Sequence, residues 1–357
     1  MTSGDATVRV RTSARTADRR LSVAVWPKAD PMNPFCELFS RSLEADAAFR
    51  VRDLNWRTFA AQRNDAVILH WPHRFFTRHK GVEAAVGRAQ LALLETARRV
   101  YGARAYWVVH NLWPHDLEQR DAALAESFLK RLDGAIYLSA HSRRLARQAH
   151  PALAGCRREL IIRHGHYRGA FETAPSPWRP PGADVQFSFF GRIMPYKGVE
   201  DLAAIFADNA SGASQLHLAG RCQDAALARR LSRQIAAAPR LSGGSSKDYV
   251  PQSEFERAID ASHGVILPYR DILNSGSALL ALSRNRPVLA PALGSLPELQ
   301  ADVGEGWLQL YDGDLSASVI RAFEDFVRTR PGPGEPNLSL YDWTHIGAEL
   351  RAFLAAG

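Results

Sequence analysis

No run of about 18 apolar residues occurs in this 357-residue chain, so no segment reads as a membrane-spanning helix. Cysteine is scarce: Cys36, Cys156 and Cys222 are scattered without metal-site spacing, and read as buried, reduced thiols of a cytoplasmic protein. Met1 to Arg20 lacks the apolar stretch of a secretory signal and is expected to be a disordered basic tail, residues 1–20. No RNP, KH or zinc-finger pattern is present, which leaves no recognisable reader of nucleic acid. Tandem short repeats are absent as well. What remains is a globular composition, 23% charged, in a chain long enough for two domains. The net charge of +8 favours an anionic partner such as a nucleotide diphosphate, a lipid pyrophosphate or an acidic membrane. Arginine spread over a solvated surface accounts for it equally well.

Strand and helix patterns alternate twice along the chain. Apolar runs at 21–26, 51–56, 66–70, 105–109, 134–138 and 159–162 predict strands, with helices near 81–99, 121–132 and 141–148 between them. Such alternation means a parallel sheet covered on both faces. Pro175, Pro177, Pro180, Pro181 and Gly182 interrupt it and predict a linker over 169–184. The pattern then resumes, with strands at 185–190, 215–219, 264–267 and 287–290 and helices at 199–206, 224–237, 253–261 and 277–282. The expected organisation is two Rossmann-like α/β domains, 21–168 and 185–340, facing a cleft. Residues 341–357 form a terminal helix that can cross back to the first domain.

In such sheets ligands sit at the carboxyl ends of the strands. Phe190-Gly191-Arg192 through Tyr196-Lys197-Gly198 is a strand breaking into a cationic, glycine-bearing turn. Pro268-Tyr269 through Asn274-Ser275-Gly276-Ser277 breaks similarly and opens a helix, whose free N–H groups and dipole favour an anion. Together the two turns suit a diphosphate, with Gly191, Arg192, Tyr196, Lys197, Tyr269 and Asn274 to Ser277 as donor-side candidates. On the first domain, Asn33, His70 and Trp71, His110, His115 and Asp116, and His164 and His166 follow strands. Asp312-Gly313-Asp314 looks like a metal-binding Asp-x-Asp but reads better as a turn before a helix. His73 to Lys80 mixes aromatics with cations, a composition suited to a membrane surface or an acceptor pyrophosphate.

Four stretches carry a resemblance. They are His110-Asn111-Leu112-Trp113-Pro114-His115-Asp116, His164-Gly165-His166-Tyr167-Arg168, Pro195-Tyr196-Lys197-Gly198-Val199-Glu200, and Asn274-Ser275-Gly276 through Pro287-Val288-Leu289-Ala290-Pro291. With Asn33-Pro34 and His70-Trp71-Pro72, they make the chain similar to the xanthan-type β-mannosyltransferases, glycosyltransferase family 94, which have a GT-B fold. The resemblance runs from about Val23 to the terminal helix. It implies mannose transfer from GDP-mannose to a lipid-pyrophosphate-linked oligosaccharide in exopolysaccharide assembly, with inversion, by an enzyme peripheral to the inner face of the cell membrane.

Retaining GT-B enzymes of related families carry two glutamates eight positions apart; here those positions hold Ile272 and Leu280, which also favours inversion. An inverting transfer needs a base on the acceptor side, for which Asp116 is the first choice and His115 and His110 follow. His164 and His166 can touch donor or acceptor, or pack the hinge. Asn33, His70 and Trp71 are assigned to the acceptor side. No metal or other cofactor is expected, since Arg192 and Lys197 can neutralise the diphosphate. Two other readings stay open: a UDP-glucose or UDP-glucuronate donor, and a non-catalytic binder of RNA or acidic glycan.

Overall fold

The structure is a computed structural model describing residues 20–31, 33–59, 62–114, 120–208, 214–247, 251–330 and 334–356. The first sheet contains β1 (Leu21–Trp26), β2 (Phe49–Asp53), β3 (Ala66–Leu69), β4 (Arg104–Val109), β5 (Gly134–Tyr137) and β6 (Arg158–Ile161). Their order is β2-β1-β3-β4-β5-β6, all parallel. Every residue of β3 and β5 is buried, as expected of central parallel strands covered on both faces. The helices between them are α1 (Phe35–Glu44), α2 (Gly81–Tyr101), α3 (Ala122–Leu129) and α4 (Ala140–Ala149). Asp121 caps α3 through Leu124 N, and Ser139 makes a reciprocal capping box with Ser142 at α4.

The second sheet is built from β7 (Gln186–Arg192), β8 (Gln215–Arg221), β9 (Leu241–Ser246), β10 (Gly264–Ile266), β11 (Val288–Pro291) and β12 (Leu308–Tyr311). Its order is β12-β11-β10-β7-β8-β9, again parallel throughout. Helices α5 (Val199–Ala207), α6 (Ala225–Ala237), α7 (Gln252–Asp260), α8 (Gly276–Ser283), α9 (Leu296–Val303) and α10 (Ala317–Thr329) cover it. The last helix, α11 (Trp343–Ala355), leaves this domain and packs on α1 of the first. Its Arg351 guanidinium donates to Ser42 O, and Arg158 of β6 donates to Phe353 O.

The proline-rich stretch between the domains is strapped to the second domain rather than hanging free. Trp178 is fully buried, its indole N–H donating to His263 O at 2.8 Å. Arg284, also fully buried, pairs with Asp260 at 2.5 Å and Glu256 at 3.2 Å and donates to Thr173 O at 3.1 Å. The Glu256 carboxylate in turn accepts from Glu172 N and Thr173 N. The chain therefore changes domain around Arg168 and again near Tyr341. These passages run side by side: His166 N donates to Tyr341 O at 2.9 Å, and the Trp343 indole donates to His166 O at 2.7 Å.

The basis for a membrane-facing segment at Phe75 to Lys80 is overturned. Pro72–Phe75 winds into a 3₁₀ turn that drives both aromatic rings inward. Phe75 stacks on Phe128 at 4.6 Å, and Phe76 packs against Trp107. Among the described residues no helix is long and apolar enough to cross a membrane.

Candidate active site

The carboxyl ends of β7 and β10 meet the N-terminus of α8 in one corner. The turn after β7 closes as a short 3₁₀ helix, Pro195–Lys197, followed by Gly198 at φ +65°. A Cβ at Gly198 would lie 2.1 Å from Pro268 O, so only glycine lets this turn lie against the strand beside it. The turn points Lys197 into the protein, its Nζ 5.4 Å from the centre of the Tyr269 ring. Burial, and next the Arg192 charge, push the Lys197 ammonium down to about 8. No carboxylate pairs with Lys197 or Arg192 among the described residues. Tyr269 is buried, with its hydroxyl beside the Ser275 and Ser277 side chains at the start of α8. Ser275 caps that helix through Ala278 N at 3.1 Å.

A cavity of about 280 Å³ opens over this corner. Gly191, Arg192, Lys197, Gly276, Ser277 and Leu280 line it from the second domain, and Pro31, Asn33, Pro34 and Tyr167 from the first side. Gly276 is a point of close approach: a Cβ there would meet the Tyr167 hydroxyl at 2.9 Å and touch the His164 ring at 3.6 Å. His164 is thereby set against the donor-side helix start. Asn33, assigned from sequence to the acceptor, lies instead on this cavity, its Oδ1 accepting from Phe35 N. A second cavity, about 380 Å³, lies on the other side of the cationic turn between Asn111 to Pro114 and Asp271 to Leu273. Tyr196, Arg120 and Ile272 also line it.

His70 and His110 are hydrogen-bonded through their ring nitrogens, Nδ1 to Nε2 at 2.9 Å, beside Trp71, which stacks on His110 at 4.8 Å. Phe35 packs against His70, His110 and His164. Burial pushes His70 down to about 3 and His164 to about 4. Burial, with the neighbouring histidines, holds His110 well below the usual imidazole range. All three are neutral near pH 7, and the Nε2 of His110 is committed to His70. His115 and Asp116 lie outside the described residues.

Two candidates turn away from the phosphate corner. Asn274 reaches across the cleft, its Nδ2 donating to Val109 O and His110 O at 3.4 Å. His166 sits at the hinge, Nε2 3.5 Å from Asp342. Sequence reading missed one residue. Asp271 is an exposed carboxylate lining the second cavity, whose only signal was its place after β10. Glu298 of α9 caps α4 of the opposite domain, accepting from His141 N at 2.6 Å and Ala140 N at 3.0 Å. Beside it Arg163 pairs with Asp302, which also accepts from the Tyr341 hydroxyl at 2.7 Å. Asp312 and Asp314 follow β12, and no group of three or more metal-ligating side chains occurs among the described residues.

Two parallel-sheet domains across a cleft, with a cationic corner on the second, define a glycosyltransferase of the GT-B class. The chain is similar to sucrose-phosphate synthase from Thermosynechococcus elongatus, with a TM-score of 0.64 and 14% identity over 95% of this chain and 100% of that one. The catalytic domain of starch synthase IV from Arabidopsis thaliana gives 0.62 and 9% identity over 95% and 99%. Anabaena HepE, solved with UDP-glucose, gives 0.59 and 14% over 94% and 99%. No protein-family model matches the chain. In sequence it is 32% identical over 311 residues to the GDP-mannose:glycolipid 4-beta-D-mannosyltransferase of Xanthomonas campestris pv. campestris, covering 87% of this chain and 85% of that protein. The chain belongs to this family of mannosyltransferases.

Proposed function

We propose that the enzyme moves mannose from GDP-mannose onto a lipid-linked oligosaccharide in exopolysaccharide assembly, with inversion and without a divalent metal. The observation that carries the donor half is the half-buried Lys197 beside Arg192, two cations without a carboxylate partner among the described residues, next to a helix N-terminus. That corner suits a diphosphate leaving group, whose charge it would stabilise as the bond to the anomeric carbon breaks. The mannose and GDP assignment draws on the 32% identical relative.

Inversion is a single displacement. The acceptor hydroxyl oxygen attacks the anomeric carbon, the carbon–oxygen bond to the diphosphate breaks, GDP departs, and the hydroxyl proton goes to a base. Leu280 on the first cavity and Ile272 on the second are aliphatic and offer no carboxylate at the two positions that retaining relatives fill with glutamate. Asp116 is the preferred base. The neutral, mutually bonded His110 and His70 suit packing and orientation better than holding a proton at neutral pH.

The test is a panel of GDP- and UDP-sugars with a lipid-linked acceptor, monitored for released nucleotide diphosphate, with product configuration read by NMR. Release from GDP-mannose alone and a β-linked product are expected; a retained configuration overturns the mechanism. Asp116→Asn is expected to cut turnover about 100-fold or more while GDP affinity stays intact. Activity should survive EDTA.

A further inference from the structure

We propose that Gln252 selects the base of the donor, its side-chain carbonyl accepting hydrogen bonds from the N1–H and 2-amino group of guanine. This role rests on the donor reading given above and sharpens it to one side chain. The cavity of about 280 Å³ that holds Arg192 and Lys197 has a second wall of different chemistry, built by α7 and by the strap between the domains. Phe255 and Ile259 of α7 and Phe171 of the strap make it apolar. Flat apolar surface with a few fixed polar groups suits a nucleobase, as the cationic corner suits a diphosphate.

Two polar side chains stand in that wall, Gln252 and Glu256. Glu256 is fully engaged. Its Oε1 accepts from Glu172 N and Gln252 Nε2, each at 2.9 Å. Its Oε2 accepts from Thr173 N at 3.0 Å and from the Thr173 hydroxyl at 2.6 Å, and pairs with Arg284 at 3.2 Å. Gln252 is engaged at one end only. Its amide nitrogen donates to Ala170 O and to Glu256 Oε1, and because both partners are acceptors the amide cannot be turned over. Its Oε1 has no partner among the described residues. This wall therefore offers a ligand a fixed carbonyl with two lone pairs and no donor beside it.

Base chemistry selects the occupant. Guanine carries N1–H and its 2-amino group side by side, two donors that one carbonyl oxygen can receive. Uracil sets its N3–H between two carbonyls, which another carbonyl repels. Adenine and cytosine set their amino group beside a bare ring nitrogen, which it repels as well. A carbonyl whose own N–H groups are spent elsewhere fits guanine and leaves the other bases poorly matched.

Calorimetric titration of the full chain with GDP, inosine diphosphate, UDP and ADP tests it. Inosine diphosphate is GDP without the 2-amino group. The wild type is expected to bind GDP about threefold to tenfold tighter than inosine diphosphate, and to bind UDP and ADP more weakly still. Gln252→Leu should bind GDP and inosine diphosphate equally. So should Gln252→Lys, whose ammonium can keep the bonds to Ala170 O and Glu256, and with them the fold, while the acceptor is gone. Equal binding of GDP and inosine diphosphate by the wild type overturns the role of Gln252 and leaves GDP standing as the donor nucleotide. A preference for GDP that persists undiminished in the variants does the same. Tighter binding of UDP than of GDP by the wild type overturns the donor reading as well.

Discussion

At the scale of single residues, the site is a contrast between one half-buried cation and three neutral imidazoles. Replacing Lys197 with Ala should weaken GDP binding by a charge-assisted hydrogen bond, about 1.5–3 kcal/mol, seen by calorimetry as roughly a tenfold to hundredfold rise in Kd. Because burial brings Lys197 to about 8, GDP affinity of the wild type should fall as pH rises through about 8, and this fall should vanish in Lys197→Ala. The histidines act in the opposite pH range. Their folded values lie below the ordinary 6.5, so the unfolded chain takes protons first as pH drops, and stability present above 6.5 is lost toward 4. At pH 5 the loss is about 2 kcal/mol for each of His70 and His164. Urea titrations at pH 7, 6 and 5 check it; a flat profile would mean these rings accept protons within the fold. The phosphate turn was legible because strand, glycine and cation follow one another in sequence. The histidine pair was not, because positions 70 and 110 meet only through the adjacency of β3 and β4.

At the scale of elements, local pattern spoke clearly where burial was symmetric and failed where it was not. The runs at β3, β4 and β5 are apolar on both faces and declare themselves. By contrast β9, Leu-Ser-Gly-Gly-Ser-Ser, has turn composition and is a strand only because the edge of β8 pairs with it. Helix α10, expected after the Asp312-Gly313-Asp314 turn, carries a readable stripe in Ile320, Phe323 and Val327, whereas the short α9 went unread. Glu298 shows the limit from the other side: a glutamate in the first turn of its own helix, it serves as cap for a helix 158 residues earlier. Glu298→Ala should therefore destabilise the chain by about 1 kcal/mol, the worth of a lost cap. It should also raise the radius of gyration in X-ray scattering as α4 comes away from α9. Unchanged scattering would show that the cap does not hold the two domains together.

At the scale of the whole molecule, the two domains share structure rather than merely facing each other. α11 belongs to the first domain by packing and to the second by connection. Its Ile346, Leu350 and Leu354 are buried, and at about 1.5–3 kcal/mol each they supply a sum comparable to the entire stability of an ordinary domain. A chain ending before Trp343 should lose cooperative unfolding in circular dichroism; a sharp transition would refute that dependence. The two crossings near Arg168 and Tyr341, lying side by side, have a kinematic consequence. A door whose pins share one jamb can turn about one line only. Pro31, Asn33 and Pro34 line one cavity with Arg192 and Lys197, so a swing about that line would open or close the cavity. The side chains of Asn274 and Glu298, which reach across from one leaf to the other, make the bonds that such a swing would have to release.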